Sequence, residues 1–313
     1  MNKRTLFLIF TLIGLYSCQF KKEEKVARGK QEYSEVIKQD YELYKPNHDA
    51  KAVLILFGGF GQQPKDIRRE FDILELARDK DIAVVLTNFK SKLWLEENEK
   101  QQLATSLQSI IEDNQLPPNN IFIGGFSSGG ALSLLISDYI VGLKEFTINP
   151  KGVFAIDSPV DLAGVYAYCA KSIERKFSKP AIRESTYLLD MLNNDLGNPK
   201  ESILPYVDNS VFTLITNNTS NLDKLTNTKI RFYAEPDVIW WQKNRMNNYD
   251  ELNAFYIEKL SKSLKEKGFK NVEYIETSDK GYKANGERHP HSWSIVDKND
   301  LINWMLSPYS KTN

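Results

Sequence analysis

The sequence predicts an α/β fold, a mostly parallel central sheet with helices on both faces and a lid-like insertion. Short, continuously apolar, β-rich runs alternate with longer stretches of helical periodicity, the pattern of repeated βα units. The chain is also long enough, at 313 residues, and apolar enough, at 41% hydrophobic with 12% aromatic residues, to bury one large core. Lys plus Arg number 41 and Asp plus Glu 41, so no basic surplus exists for a phosphate backbone and no acidic excess keeps the chain unfolded. Nucleic acid is therefore excluded as an expected partner. Two cysteines, Cys18 and Cys169, are too few for a disulfide framework, a Cys-rich zinc site or an iron–sulfur cluster.

Taken in order, Ala52 to Phe57 reads as a strand covered on both faces, ended by Gly58-Gly59. Pro64 opens a helix whose apolar positions are Ile67, Phe71, Leu74 and Ala77. Ile82 to Leu86 is the next strand, Leu103 to Ile111 a helix stopped before Pro117-Pro118, and Asn120 to Gly124 a strand followed by the apolar helix Ala131 to Ile140. Val153 to Ile156 makes a further strand. The alternation breaks over about residues 159–228, where only short helical pieces such as Tyr187 to Leu192 are expected, and this is read as the insertion. Strand Lys229 to Ala234, a helix over about Tyr249 to Lys267, strand Val272 to Ile275 and a last helix from Lys298 to Leu306, capped by Asp297, complete the chain.

Ahead of this core, Lys3 and Arg4 precede an apolar stretch from Leu6 to Leu15 that is too short to span a bilayer but has the length of a signal-peptide core. It ends in Leu15-Tyr16-Ser17-Cys18, which resembles the lipobox of bacterial lipoprotein signals. The resemblance implies a leader over residues 1–17, a Cys18 that becomes the first mature residue and carries lipid, and a cell-envelope location. Loss of Lys3 and Arg4 leaves 39 basic residues against 41 acidic. Residues 18–35 then form the lipidated Cys and a polar tether, and residues 36–313 the folded domain. Cys169, left without a partner, is expected to be a small buried apolar residue.

Gly125-Phe126-Ser127-Ser128-Gly129 carries Gly-x-Ser-x-Gly with a strand running directly in and an apolar helix running directly out, the context of a nucleophile elbow. A serine hydroxyl needs a base to take its proton and a third group to orient that base. Of three histidines, His289 and His291 lie between the last strand and the last helix. His291 is preferred because His291-Ser292-Trp293 resembles the His-Ser/Thr-Trp turn of many hydrolases, with His289 the alternative. A His-x-His metal pair finds no third histidine or cysteine nearby to complete it, so no metal or other cofactor is expected. For the acid, Asp237 after strand 229–234 is preferred, with Glu235 and Asp157 as alternatives. Oxyanion donors are expected from the backbone N–H of Gly59 or Phe60 in the Gly58-Gly59-Phe60-Gly61 turn, and of Ser128.

Strand, Gly-rich turn, serine elbow, acid and histidine in this order resemble the α/β-hydrolase family over about residues 51–307. Leu196-Gly197-Asn198-Pro199 within the insertion is similar to a segment of its esterase and peptidase branches, whereas Gly58 replaces the histidine usual at the oxyanion turn. The resemblance implies a serine hydrolase with Ser127, Asp237 and His291 as its triad, acting as a carboxylesterase on small acyl esters or acylated glycans. A serine peptidase of the same fold and a non-catalytic binding lipoprotein are the alternatives. Trp94, Trp240 and Trp241 fit either an aromatic pocket or ordinary packing.

Overall fold

The computed structural model describes residues 33–89 and 92–308. The leader, Cys18 and the tether up to residue 32 lie outside the described residues. Eight strands form one sheet: β1 (Tyr33–Ile37), β2 (Tyr41–Pro46), β3 (Ala52–Phe57), β4 (Ile82–Thr87), β5 (Ile121–Phe126), β6 (Pro150–Ile156), β7 (Lys229–Ala234) and β8 (Val272–Glu276). Their spatial order is β1-β2-β4-β3-β5-β6-β7-β8. β1 pairs with β2 and β2 with β4 antiparallel, and all later neighbours are parallel.

Alternate residues of the central strands feed opposite cores, as the period of two requires. Leu54, Leu56, Phe122 and Phe154 pack with Ile67 and Phe71 of α1 (Pro64–Phe71), Ala77 of α2 (Leu74–Arg78) and Leu301 and Trp304 of α10 (Lys298–Leu306). Val53, Ile55, Ile121 and Ile123 face the other way, onto α3 (Glu97–Asp113) and α4 (Ser128–Gly142). Val153, Ile230 and Phe232 continue that second layer onto α9 (Asn253–Glu266). Burial of each such side chain contributes about 1.5–3 kcal/mol, which is why β3 reads as an unbroken apolar run.

Several elements differ from the sequence expectation for identifiable reasons. β1 and β2 were not expected, and Tyr33 to Glu35, placed in the tether, belong to β1. These strands carry no apolar run. β1 is an edge strand, and in β2 the buried Glu42 is neutralised by Arg68 Nε at 3.0 Å. The single helix expected from Pro64 to Ala77 is two, broken where Asp72 takes a left-handed conformation with φ 45°. Between β6 and β7, the short helical pieces are instead α5 (Leu162–Arg175), α6 (Lys179–Asp195) and α7 (Leu204–Asn209). α6 runs for 17 residues, and its buried Leu192 packs with Leu93, Trp94, Leu162, Leu196 and Tyr206. Trp94 is thus a packing residue. The Leu196-Gly197 segment closes the α6–α7 connection, with Tyr206 Oη donating to Gly197 O at 2.7 Å. Cys169 on α5 is fully buried, and burial pushes its thiol up to about 12. Asp297 caps α10 by accepting from the amides of Asn299 and Asp300.

Candidate active site

β5 ends at Phe126 and α4 begins at Ser128, so Ser127 alone makes the turn between them. Its backbone sits at φ 54° and ψ −126°, a conformation an L-residue holds only when its surroundings enforce it. Those surroundings are the close approach of α4 to β3 and β5. A Cβ at Gly125 would stand 2.5 Å from Gly129 C, and one at Gly129 would stand 2.4 Å from the carbonyl oxygens of Phe57 and Gly58. Side chains at either position would push the helix off the sheet and unmake the turn. Ser127 N–H donates to Ile156 O at 2.8 Å, which fixes the elbow against the end of β6.

The structure brings Ser127, His291 and Asp157 together. Ser127 Oγ lies 3.1 Å from His291 Nε2, and His291 Nδ1 lies 2.6 Å from Asp157 Oδ2. A carboxylate only accepts, so Nδ1 carries the imidazole proton, leaving the Nε2 lone pair for the serine O–H. Asp157 is the residue immediately after β6, 5% exposed, with φ 43°. Its N–H donates to Tyr233 O at 2.8 Å, and its carbonyl accepts from Asn253 Nδ2 at 2.9 Å. The carboxylate that meets His291 therefore follows β6, one strand earlier than the preferred expectation. Phe126 stacks on the His291 ring at a centroid distance of 4.4 Å and completes the wall behind it.

Asp237 corrects that expectation. It does not contact His291: its Oδ1 caps α8 (Val238–Arg245) by accepting from Trp240 N at 3.0 Å, and its Oδ2 pairs with Arg288 Nη2 at 2.6 Å. Glu235 is also elsewhere, 2% exposed and paired with Arg288 Nη2 at 2.6 Å. It further accepts from Lys280 N at 2.9 Å, Gly281 N at 3.1 Å and Thr277 Oγ1 at 3.1 Å. Both carboxylates after β7 thus hold the loop that carries the histidine. Arg288, three residues before His291, closes the same loop by donating to Gly281 O at 2.7 Å.

His289, the alternative base, does not reach Ser127. Its Nδ1–H donates to His291 O at 3.0 Å, and its ring packs edge-on against Trp240 and Trp241 at centroid distances of 4.8 and 5.9 Å. Burial, followed by repulsion from any proton taken up on the neighbouring His291, lowers its pKa to about 4, so it is neutral near pH 7. Trp241 lines the cavity, and Trp240 holds His289.

In the Gly58–Gly61 turn, Gly59 N–H donates to Gln62 Oε1 at 2.9 Å, and the same oxygen accepts from Trp293 Nε1 at 3.1 Å. Gln62, unremarked in the sequence, therefore ties the Gly-rich turn to the histidine loop. Of the two amides proposed from that turn, Phe60 N–H is the one without an acceptor among the described residues. Ser128 N–H belongs to the first turn of α4, whose leading amides have no intrahelical acceptor. Its side chain is buried, and Ser128 Oγ has no hydrogen-bond partner among the described residues.

Ser127, Asp157 and His291 open into a cavity of about 220 Å³. Phe60 and Ser128 line it beside the serine, with Val160, Leu188, Trp241 and Tyr256 among its apolar walls. Phe60 meets Tyr187 of α6 edge-on at 5.8 Å, so residues of the helices between β6 and β7 form part of the wall.

No family model matches the sequence, and no curated protein sequence matches it. Solved structures do resemble it. Carboxyl esterase 2 of the mycorrhizal fungus Tuber melanosporum superposes with a TM-score of 0.50 at 18% identity, over 80% of this chain and 78% of the esterase. MPT51 of Mycobacterium tuberculosis gives 0.56 at 11% identity, covering 87% and 98% of the two chains. The fluorophosphonate-binding serine hydrolase F of Staphylococcus aureus gives 0.52 at 13% identity, covering 90% and 100%. With the sheet order and the elbow, these likenesses establish the fold as that of the α/β hydrolases.

Proposed function

We propose that this protein is a serine hydrolase, a carboxylesterase that cleaves small acyl esters or acylated glycans. The observation that carries the reading is the contiguous Ser127–His291–Asp157 hydrogen-bond chain at 3.1 and 2.6 Å, set on a strained elbow beside an open cavity. Ser127 Oγ attacks the ester carbonyl carbon while His291 Nε2 takes the hydroxyl proton, and the carbonyl oxygen becomes an oxyanion held by the amides of Phe60 and Ser128. Collapse breaks the bond to the alcohol oxygen, which receives the proton from His291, and leaves an acyl-serine. A water then gives its proton to His291, attacks the acyl carbon, and releases the acid as the proton returns to Ser127. Asp157 keeps the proton on Nδ1 and stabilises the imidazolium in both halves. The test is turnover of 4-nitrophenyl butyrate. Wild type is expected to hydrolyse it, with Ser127→Ala and His291→Ala each at least about 10³-fold slower; equal rates in all three would refute the reading.

We further propose that Cys18 carries lipid and holds the enzyme at the cell envelope, on the strength of its lipobox-like setting. Incorporation of radiolabelled palmitate into the full chain, lost in Cys18→Ala, tests this point.

A further inference from the structure

The cavity wall carries five carboxylates, and four already have partners. Asp157 is taken by His291, Asp161 by the amides of Gly164 and Leu214, Glu235 by Arg288, and Glu251 by Lys171 and Arg175. The fifth, Glu184, stands in solvent on α6. Arg245, at the last position of α8, is the only lysine or arginine among the described residues lining the cavity. Its Nη1 donates to Ser178 Oγ and to Asn244 O, each at 3.1 Å, which fixes the guanidinium between α8 and the start of α6. No carboxylate among the described residues lies within ion-pair distance of it, and its Nε and Nη2 hydrogens have no acceptor there.

A half-buried guanidinium with unclaimed donors is poised for a planar oxyanion, because its fork matches a carboxylate in a bidentate pair. We infer that Arg245 sets the substrate class of this cavity by pairing with a carboxylate carried by the ester. The inference rests on the hydrolase reading of Ser127, which lines the same cavity. Arg245 and Ser127 line one cavity, of about 220 Å³, so a single ester can face both. The surrounding acids favour a singly charged carboxylate over a dianionic phosphate, since each added negative charge is repelled in a partly desolvated site. Arg245 also contributes to the lowering of the His289 pKa, consistent with a positive field reaching the cavity wall.

The experiment compares charged and neutral esters within each protein, so that differences in folding or active fraction cancel. One pair, 4-nitrophenyl hemiglutarate against 4-nitrophenyl hexanoate, places the carboxylate on the acyl side. A second, 3-acetoxybenzoate against 3-acetoxybenzamide, places it on the alcohol side. Wild type is expected to favour the charged member of one pair by at least about ten-fold in kcat/KM, mainly through KM. Arg245→Met should bring that ratio close to one, and Arg245→Lys should retain part of it. A wild-type ratio near one in both pairs, or an unchanged ratio in Arg245→Met, overturns the inference. Calorimetric titration of Ser127→Ala protein with glutarate and 3-hydroxybenzoate separates this result from the hydrolase reading. Binding lost in the Ser127→Ala/Arg245→Met protein supports the anion site even where no ester turns over, and absence of binding to Ser127→Ala protein counts against it.

Discussion

Asp157 Oδ2 stands 2.6 Å from His291 Nδ1, and Asp237, the carboxylate expected there from the sequence, is held by Arg288 instead. The two acids therefore predict different losses. Asp157→Asn presents an amide that can stabilise the wrong imidazole tautomer, and kcat on 4-nitrophenyl butyrate should fall by about 10³–10⁴-fold. Asp237→Asn retains the cap on α8 and should cost less than about ten-fold. Parallel steady-state kinetics of the two variants checks both values.

This acid position marks where sequence reasoning stopped. The elbow was legible because Gly125, Ser127 and Gly129 fall within five consecutive residues, and the histidine loop because His291 precedes Ser292-Trp293. Six of the eight strands were legible from apolar or β-rich segments, whereas β1 and β2 hide their roles in polar residues satisfied by distant partners such as Arg68. The acid was not legible because Asp157, Glu235 and Asp237 all follow strand ends, and only the strand order decides which meets His291. Arg288 pairs with both Glu235 and Asp237 from a different loop, a contact that withdraws them from His291 and that the chain order does not display.

Removal of Arg288 should damage stability and catalysis together. Glu235 is 2% exposed, and loss of its cation leaves a buried charge supported by amide and hydroxyl donors alone. Arg288→Met should lower unfolding free energy by about 3 kcal/mol, measured by urea denaturation at pH 7.5. Its turnover should fall as well, because the loop from Gly281 to His291 loses its tie to β7.

Gln62→Leu tests the link between the oxyanion turn and the histidine loop. The substitution strips the acceptor shared by Gly59 N–H and by Trp293 Nε1, whose residue is 1% exposed. Leaving the buried Trp293 Nε1–H without this acceptor should cost about 1–3 kcal/mol in stability. A lower kcat with little change in KM is expected from displacement of the neighbouring Phe60 amide.

Asp138 on α4 gives a pH signature remote from the site. Burial pushes its carboxyl up to about 6 from an ordinary 3.8, although the Lys224 N–H at 2.8 Å opposes the shift. The native state binds this proton more tightly than the unfolded chain, so the contribution to stability falls as pH rises from about 3.8 to about 6. Asp138→Asn keeps an acceptor for Lys224 N–H and should stabilise the protein at pH 7.5 by about 1–2 kcal/mol, after allowance for partial solvent screening. Its advantage should shrink toward pH 4, as urea denaturation at the two pH values would show.

The central claim is that Ser127 is an activated nucleophile driven by His291 and Asp157. Its most direct test is the rate at which a fluorophosphonate modifies the protein, followed by intact mass, with the modified peptide then located. The account predicts one adduct per chain, on Ser127, abolished in Ser127→Ala and slowed at least about 10²-fold in both His291→Ala and Asp157→Asn. A folded wild-type protein that stays unmodified, or labelling that persists undiminished in His291→Ala, would contradict it.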